Sequence, residues 1–398
     1  MSMFEGISIE LGQPSLAWHT PRAAPATGPL LKVSFVKDCL PWLALRLVPG
    51  VGAVTYRKLV ERFGSPQAVF EAPPEALRAT DLRESVVEAI GRFDSWEEAR
   101  RQQEMLARHD IGTLTLWEEL YPERLAAIFD PPPLLFIKGA ISPADRLAVG
   151  IVGTRASSYY GRSVTERLAG DLAARGVTIV SGLARGIDTA AHRAALDAGG
   201  RTIAVAACGL DVDYPPENKG LAERIMQSGA VLGELPPGTQ PDRGHFPARN
   251  RIISGLSLGV VVVEAAARSG ALITARCALE QGREVFAVPG SVQAPNSAGP
   301  HRLIRQGAKL VERAEDVLEE IYPWAACPRV DEGPAGFNQD AGSIDEQKVC
   351  RSLESGPLHI DDLARRCNLD QSALALILLE LELKGAIRQL PGKLFVRG

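Results

Sequence analysis

The chain reads Leu147-Ala-Val-Gly-Ile-Val-Gly-Thr-Arg155 in its middle third, an apolar run that ends in a turn of small residues. The run lacks the polar alternation of a half-exposed strand, which predicts a strand buried on both faces. Five further apolar runs follow, each separated from the last by a helical segment: residues 177–180, 202–207, 231–234, 260–263 and 285–288. This alternation predicts an α/β fold with a doubly wound parallel sheet, which we assign to residues 116–325.

Ahead of the predicted sheet, residues 38–115 have helical periodicity, whereas residues 1–37 are rich in Pro, Ala and Gly and are predicted to be a disordered tail. The turn Pro49-Gly-Val-Gly52 precedes a helix that is predicted to end at Gly64. This order predicts a small all-α domain of the helix-hairpin-helix or SAM-like type. Its turn amides, with Arg57 and Lys58 nearby, would cradle a phosphate, or the corner would serve packing alone. The sequence leaves both interpretations open.

Beyond the sheet, residues 326–342 are predicted to be a linker. Residues 343–398 are predicted to form a winged-helix domain, because three helical segments are followed by a hairpin. This domain carries eight Lys and Arg against eight Asp and Glu, and its third helix, predicted over residues 371–384, is apolar nearly all round. A reader of duplex DNA draws its affinity from positive charge, so we expect the domain to make protein contacts or to pack on the core.

The composition excludes several classes of protein. Hydrophobic residues make up 45% of the chain and charged residues 23%, which is typical of an ordinary globular protein. The sequence shows neither a secretory signal nor an uncharged apolar stretch that would span a bilayer, so we expect no membrane partner and a cytoplasmic location. The six cysteines are far apart and form no CxxC pair, which argues against a zinc site.

The net charge of -4 conceals a basic middle segment. Residues 146–313 carry 20 Lys and Arg against 14 Asp and Glu, while the segments on either side are acidic. A positive middle segment indicates a polyanionic partner, although a surplus of six charges over this length is also compatible with scattered surface residues.

Turns rich in glycine and hydroxyl residues follow three of the predicted strands, where parallel sheets place their ligands. Small residues at the start of a helix let a phosphate approach the backbone amides, and an arginine adds a charged contact. We therefore predict anion binding by three groups: Gly153, Thr154 and Arg155; Ser181, Gly182 and Arg185; and Ser269, Gly270 and Thr274. Asp188 and His192 follow the second group, where a helix cap is at least as good an interpretation as catalysis.

One further segment, Phe246-Pro-Ala-Arg-Asn-Arg251, combines an aromatic ring with cations, and an earlier loop ends in a single lysine. Unpaired bases stack on aromatic rings while their backbone binds cations, so this combination is typical of single-stranded nucleic acid binding. The candidate contacts here are Lys219, Phe246, Arg249, Asn250 and Arg251. In the alternative interpretation, the two arginines of this segment are internal ion-pair partners of Glu264 or Glu234.

Several motifs between Val149 and Lys309 together resemble the bacterial DNA-processing protein A family, also called Smf. They are Gly153-Thr-Arg155, Ser181-Gly-Leu-Ala-Arg-Gly-Ile-Asp188, Tyr214-Pro215, Phe246-Pro-Ala-Arg-Asn-Arg-Ile-Ile253, Ser269-Gly-Ala-Leu-Ile-Thr274 and Val288-Pro-Gly-Ser291. The resemblance implies an extended Rossmann-like domain that binds single-stranded DNA, forms a homodimer and loads the RecA recombinase during natural transformation. It also makes Arg155 and Lys219 the principal DNA contacts. The family usually has Gly-Ser-Arg at the first motif, and the threonine of this chain retains the hydroxyl.

A homodimer needs an apolar surface, and the segment Leu303-Ile-Arg-Gln-Gly-Ala-Lys-Leu310 follows the last predicted strand. We expect Leu303, Ile304 and Leu310 to form the interface.

Several motifs of common enzymes are missing from the sequence. It contains no GxxxxGK[ST] or HExxH, no paired-carboxylate motif at a strand end, and no GxGxxG spacing in the first turn. We therefore predict no catalytic residues, no metal site and no cofactor. The rival hypothesis is a Rossmann-like nucleotide-binding enzyme of the nucleoside-monophosphate phosphoribohydrolase type. Such enzymes use a Pro-Gly-Gly-x-Gly-Thr-x-x-Glu loop, which the corresponding residues 268–274 lack.

Overall fold

The computed structural model describes residues 39–325, 344–353, 358–367, 369–383, 387–390 and 394–397. The chain divides into two compact units, Met1–Cys327 and Pro328–Gly398, which are described separately. The predicted tail at residues 1–37 and the predicted linker at residues 326–342 lie outside the described residues.

Nine strands of the first unit form a single sheet. The strands are β1 (Gly112–Thr115), β2 (Leu134–Gly139), β3 (Ala148–Val152), β4 (Thr178–Ser181), β5 (Thr202–Ala206), β6 (Ala230–Gly233), β7 (Gly259–Val262), β8 (Glu284–Ala287) and β9 (Lys309–Leu310). Their order across the sheet is β1-β2-β6-β5-β4-β3-β7-β8-β9. Across the sheet, every pair of neighbouring strands from β6 through β3 to β9 is parallel. Strands β1 and β2 extend the sheet beyond β6 as antiparallel strands. The predicted doubly wound sheet is confirmed, with two antiparallel strands as its extension.

Helices cover both faces of the sheet, as the apolar strands predict. The helices of the first unit are α1 (Leu40–Leu47), α2 (Ala53–Phe63), α3 (Pro66–Glu71), α4 (Pro74–Arg78), α5 (Glu84–Gly91), α6 (Trp96–Arg108), α7 (Glu123–Ala126), α8 (Tyr159–Ala174), α9 (Ile187–Asp197), α10 (Lys219–Ser228), α11 (His245–Leu256), α12 (Gly270–Glu280), α13 (Ala298–Arg305) and α14 (Ala314–Ala325). In β3, Val149 and Ile151 pack under α8 and α9, while Val152 packs under α11 and α12. Successive side chains of one strand therefore belong to two separate cores, which explains the unbroken apolar run.

Helices α1 to α6 form a module that lies at the antiparallel edge of the sheet. Its own core includes Tyr56, Leu59 and Val86, and Gly50 at the hairpin turn has a positive φ of 83°. Helix α2 ends at Gly64 in the left-handed conformation, as the sequence predicts. A second cluster joins α1 to Phe136 of β2, so the module packs directly on the sheet. Strand β1 lies inside residues 38–115, so the first strand of the sheet precedes the boundary placed at residue 115.

The second unit has the element order of a winged helix. Its elements are α15 (Ile344–Ser352), β10 (Leu358–His359), α16 (Ile360–Cys367), α17 (Gln371–Leu383), β11 (Ile387–Leu390) and β12 (Leu394–Arg397). The strands are antiparallel in the order β10-β12-β11, and Leu363, Leu374 and Phe395 are buried together beneath them.

Among the helices that the structure describes, none combines the length and the hydropathy required to cross a bilayer.

Candidate nucleic-acid interface

The topology opens a crevice where β3 and β7 lie side by side. The chain leaves β3 for α8 on one face and leaves β7 for α12 on the other, so the loops diverge at the carboxyl ends of these strands. Open α/β sheets bind their ligands at such a switch point. A cavity of about 250 Å³ lies there, and we call it the crevice. The predicted contacts that line it are Gly153, Thr154, Arg155, Phe246, Arg249, Asn250, Ser269, Gly270 and Thr274.

Arg155 and Phe246 form the mouth of the crevice. The guanidinium carbon of Arg155 lies 4.5 Å from the centroid of the Phe246 ring, and the Tyr214 ring centroid lies 5.8 Å from that of Phe246. The side chain of Arg155 is exposed, and within the described ranges no carboxylate forms an ion pair with it. The mouth therefore presents a free cation next to aromatic surface, a combination that serves both a phosphate and an unpaired base.

Arg249 is held inside the crevice and has a structural task. It is buried, and its Nη1 donates to the carbonyl of Gly182 at 2.6 Å and also to the carbonyl of Val205. A Cβ on Gly182 would lie 2.4 Å from the same guanidinium, so a larger residue here would displace Arg249 from its hydrogen bonds. Burial lowers the pKa of Arg249 to about 10, against the opposing effect of the Asp188 charge. Arg249 therefore fixes the loop after β4, and it pairs with neither of the two glutamates that the sequence suggested.

Asp188 holds the same loop from the other side. Its Oδ2 accepts hydrogen bonds from the amides of Gly182 at 3.1 Å and Ala184 at 3.3 Å, whereas Gly186 occupies the N-cap of α9. Burial raises the pKa of Asp188 to about 6, because desolvation of the carboxylate outweighs the charge of Arg249. The residue is neither the expected helix cap nor a free general base. Between these amides, Leu183 has a positive φ of 57°, which is uncommon outside glycine.

Asn218 also supports this loop, although no feature of the sequence indicated it. The residue is buried, and its Nδ2 donates to the carbonyl of Leu183 at 2.9 Å and to Thr189 Oγ1 at 2.8 Å. It directly precedes Lys219, so the loop after β4 and the loop after β5 are locked together. The left-handed residue Leu183 is thus restrained by a buried amide, which is how a strained backbone persists at a functional site.

Arg251 does not face the crevice, and the alternative interpretation is the correct one for it. Its side chain is only 13% exposed and forms ion pairs with Glu234 at 2.7 Å and Asp130 at 3.1 Å. Glu234 is mostly buried and Asp130 is partly exposed, and with a carboxylate on each side the guanidinium is already compensated and is unavailable to a phosphate.

Lys219 and Arg185 lie on the loops beside the crevice, both exposed and both in surface ion pairs. Lys219 Nζ lies 2.9 Å from Asp213, and Arg185 pairs with Glu217. Exposed pairs of this kind are worth at most about 1 kcal/mol, so a phosphate competes for these cations easily. They remain candidate contacts on the β4 and β5 side of the crevice.

The hydroxyl groups of the three predicted turns mainly fix the local backbone. Ser181 is fully buried and donates to the carbonyl of Ile151 at 2.6 Å, and Ser269 caps α12 by accepting from Ala271. Thr274 is also buried. The small residues act by close approach: a Cβ on Gly153 would lie 2.5 Å from Ile187. These positions shape the crevice and leave its mouth to charged and aromatic side chains.

The predicted dimer residues do not share one surface. Leu303 is buried in the core between α13 and the sheet, and Ile304 packs against the same core. Leu310 in β9 is 42% exposed. Leu303 is therefore a core residue and cannot meet a partner, because helix α13 turns it inward.

Comparison with known proteins identifies three parts of the chain. Residues 112–322 match the family described as DNA recombination-mediator protein A, residues 333–393 the DprA winged helix domain, and residues 37–91 the DprA-like N-terminal HHH domain.

Individual relatives agree with these matches. Protein Smf of Escherichia coli (strain K12) is 44% identical over 278 residues, which cover 69% of this chain and 74% of that protein. The DNA processing protein DprA of Bacillus subtilis (strain 168) is 50% identical over 212 residues, which cover 53% of this chain and 71% of that protein. The X-ray structure of DNA processing protein A from Streptococcus pneumoniae superposes with a TM-score of 0.61 at 40% identity, covering 71% of this chain and 98% of that one. The chain belongs to the DNA recombination-mediator protein A family.

Proposed function

We propose that this chain is a mediator of recombination that binds single-stranded DNA across the mouth of the crevice. The observation that carries the proposal is the exposed guanidinium of Arg155, which lies 4.5 Å from the Phe246 ring centroid and has no carboxylate partner among the described residues. A phosphate would bind the guanidinium while a neighbouring base stacks on the rings of Phe246 and Tyr214. Lys219 and Arg185 would contact phosphates further along the strand.

Single strands suit this site better than duplex DNA. Stacking on Phe246 and Tyr214 needs bases whose faces are free, and bases in a duplex are stacked on one another. The crevice is a concave pocket of about 250 Å³, whereas a reader of duplex DNA inserts a protruding helix or ribbon into the major groove.

A nucleotide-cleaving enzyme is the weaker alternative. Asp188 accepts two backbone amides, and the buried Glu264 accepts the amide and the hydroxyl of Ser158 at 2.9 and 2.5 Å. Both carboxylates near the crevice are thus engaged in holding loops, and neither is free to activate water. The proposal accordingly assigns no catalytic step to this chain.

Two further parts of the proposal rest on family membership. We infer that the chain works in the cytoplasm as a homodimer and passes the bound strand to the RecA recombinase. Of the residues considered for the interface, Leu310 supports it best because its side chain is exposed.

The test compares binding of single-stranded and duplex DNA of equal length during a salt titration. We expect tighter binding to the single strand, with an affinity that falls steeply with salt. Arg155→Ala should remove about one phosphate contact and lower the salt slope by roughly one unit. The matched control is Arg224→Ala, which removes an equal charge from a surface pair with Asp197 at the far end of α9. Equal affinity for duplex, or an unaltered slope in a folded Arg155→Ala protein, would refute the proposal.

A further inference from the structure

A second small cavity lies next to the crevice, between the starts of α8 and α9. Its volume is about 260 Å³, and three arginines line it: Arg155, Arg162 and Arg193. We call these residues and the space between them the arginine groove. Because Arg155 also lines the crevice, the two cavities share a wall and form a continuous surface.

The charges of the arginine groove are not compensated by the protein. In the part of the chain that the structure describes, none of its three arginines is within ion-pair distance of a carboxylate, although Glu166 also lines the cavity. Arg162 donates only to the carbonyl of Ser157, at 3.2 Å. Two other exposed arginines nearby do have carboxylate partners: Arg185 on the loop before α9 pairs with Glu217, and Arg175 at the end of α8 pairs with Glu315. Three uncompensated guanidinium groups around one cavity repel one another, and an anion would remove that repulsion.

The fold adds further positive potential to the arginine groove. Helices α8 and α9 both begin at the carboxyl edge of the sheet and pack side by side, so their amino ends are on the same side as the three arginines. The positive ends of the two helix dipoles therefore reinforce the field of the side chains.

A third cavity, on the β8 side of the loop that carries Arg155, is unsuitable for a polyanion. Its volume is about 590 Å³, and it is lined by Tyr160, Pro289 and Pro295 among others. No lysine or arginine lines it in the described structure, and the buried carboxylate of Glu264 does. A phosphodiester entering that cavity would lose hydration without gaining a cation.

We propose that the arginine groove is a second phosphate-binding site and sets the direction of the bound strand. The strand passes from the crevice over Arg155 and continues between α8 and α9, where Arg162 and Arg193 bind the phosphates that follow. This inference rests on the proposed function, because the strand must first occupy the crevice. It adds two contacts that the turns of the sheet edge did not indicate.

The experiment measures binding of the full chain to oligothymidylates of two lengths, about 4 and about 16 nucleotides, over a range of salt concentrations. The variants are Arg162→Ala, Arg193→Ala and their combination, with Arg155→Ala as the reference for the crevice and Arg224→Ala as the charge control. We expect the combined variant to bind the long strand about tenfold more weakly at low salt and to lower its salt slope by about two units. Binding of the short strand, which the crevice accommodates, should change little.

The outcomes separate the two proposals. If Arg155→Ala weakens binding while the combined variant behaves like Arg224→Ala on both lengths, the arginine groove is not a DNA site and the proposed function stands. If the wild-type chain does not prefer single strands, both proposals fail. If the combined variant weakens short and long strands equally, the arginines act through long-range charge and the proposed direction of the strand is wrong.

Discussion

The protonation state of His192 is determined mainly by its burial. It is fully buried beneath the loop after β4, and its Nδ1 lies 2.7 Å from Thr202 Oγ1. Thr202 donates its own hydrogen to the carbonyl of Ile179, so its oxygen must accept, and Nδ1 of the histidine carries the proton. Nε2 has no partner within the described residues, and burial lowers the pKa of His192 to about 3. The ring is neutral at physiological pH and is a packing residue.

This neutral histidine predicts a pH-dependent stability. The unfolded chain binds a proton at His192 below about pH 6.5, whereas the folded chain does not do so above about pH 3, so stability falls as pH falls through this range. Between about pH 7.5 and pH 5 the loss should be about 2 kcal/mol. His192→Asn keeps an amide donor for Thr202 and does not titrate. Between the same two pH values, the free energy of unfolding measured in urea should therefore fall by about 2 kcal/mol less in this variant than in wild type.

Asp188 serves as an internal reference for the same measurement. Its raised pKa has the opposite effect on stability to that of His192. The folded state binds the proton of Asp188 more tightly than the unfolded state does, so the stability that this residue contributes falls as pH rises from about 4 to 6. The residue is present in both proteins, so its contribution cancels in the comparison. An identical pH dependence in wild type and His192→Asn would show that the folded ring does titrate.

At the scale of single residues, the sequence predicts the types of side chain at the site better than their orientation. Arg249, Asn250 and Arg251 are consecutive, yet one is buried at the crevice, one lines it and one forms internal ion pairs. A signal for Arg249 was present, since it precedes the apolar residues Ile252 and Ile253 by three and four positions and so shares their buried helix face. For Arg251, the alternative interpretation named Glu234, whereas its second partner, Asp130, comes from a distant segment that no local pattern identifies.

At the scale of elements, the start of α8 connects the loop of Arg155 to the body of the sheet. Ser158 caps the helix by accepting from the amide of Gly161 at 3.0 Å, and its own hydroxyl donates to Glu264 at 2.5 Å. Glu264 lies two residues after the end of β7, so one buried carboxylate ties the β3 loop to the neighbouring strand. A Cβ on Gly161 would lie 2.4 Å from this carboxylate, which explains the glycine there.

Ser158→Ala should therefore affect both stability and DNA binding. It removes a helix cap and leaves Glu264 Oε1 without its donor, a loss of about 1–3 kcal/mol in the free energy of unfolding. Ser65→Ala is the matched control, because Ser65 caps α3 in the helical module by accepting from Ala68. Urea unfolding and single-strand binding should both weaken in Ser158→Ala, whereas Ser65→Ala should lose stability alone. Normal DNA binding in the Ser158 variant would show that the cap does not position Arg155.

Elements were predictable where their patterns were long or strongly apolar. The six central strands are within one residue of their predicted starts, because buried parallel strands leave unbroken apolar runs. Strand β1, Gly112-Thr-Leu-Thr115, was missed because it contains a single large apolar residue and pairs only with β2. The two-residue strand β9 is too short to leave any periodic signal.

At the scale of the whole molecule, the structure shows where the basic middle segment of the chain places its positive charges. The basic middle segment supplies the crevice and the arginine groove, both at the carboxyl edge of the sheet. The second unit has no excess of positive charge, and Leu376 on α17 is 65% exposed. The charged residues of this helix, Glu380 and Glu382, are both acidic, so its exposed leucine suits a protein contact better than a phosphate backbone.

Removing the second unit should therefore leave DNA binding almost intact. A chain that ends after Cys327 retains every candidate DNA contact, so its affinity for single strands should change by less than about twofold and its salt slope should not change. Circular dichroism and thermal unfolding of the shortened chain check that the sheet remains folded. The full chain carrying Arg155→Ala provides the comparison, since it loses a contact while keeping the second unit. A tenfold loss of affinity with a lower slope in the shortened, folded chain would instead place phosphate contacts on the winged helix. Charge balance would then be a poor guide to where this protein meets DNA.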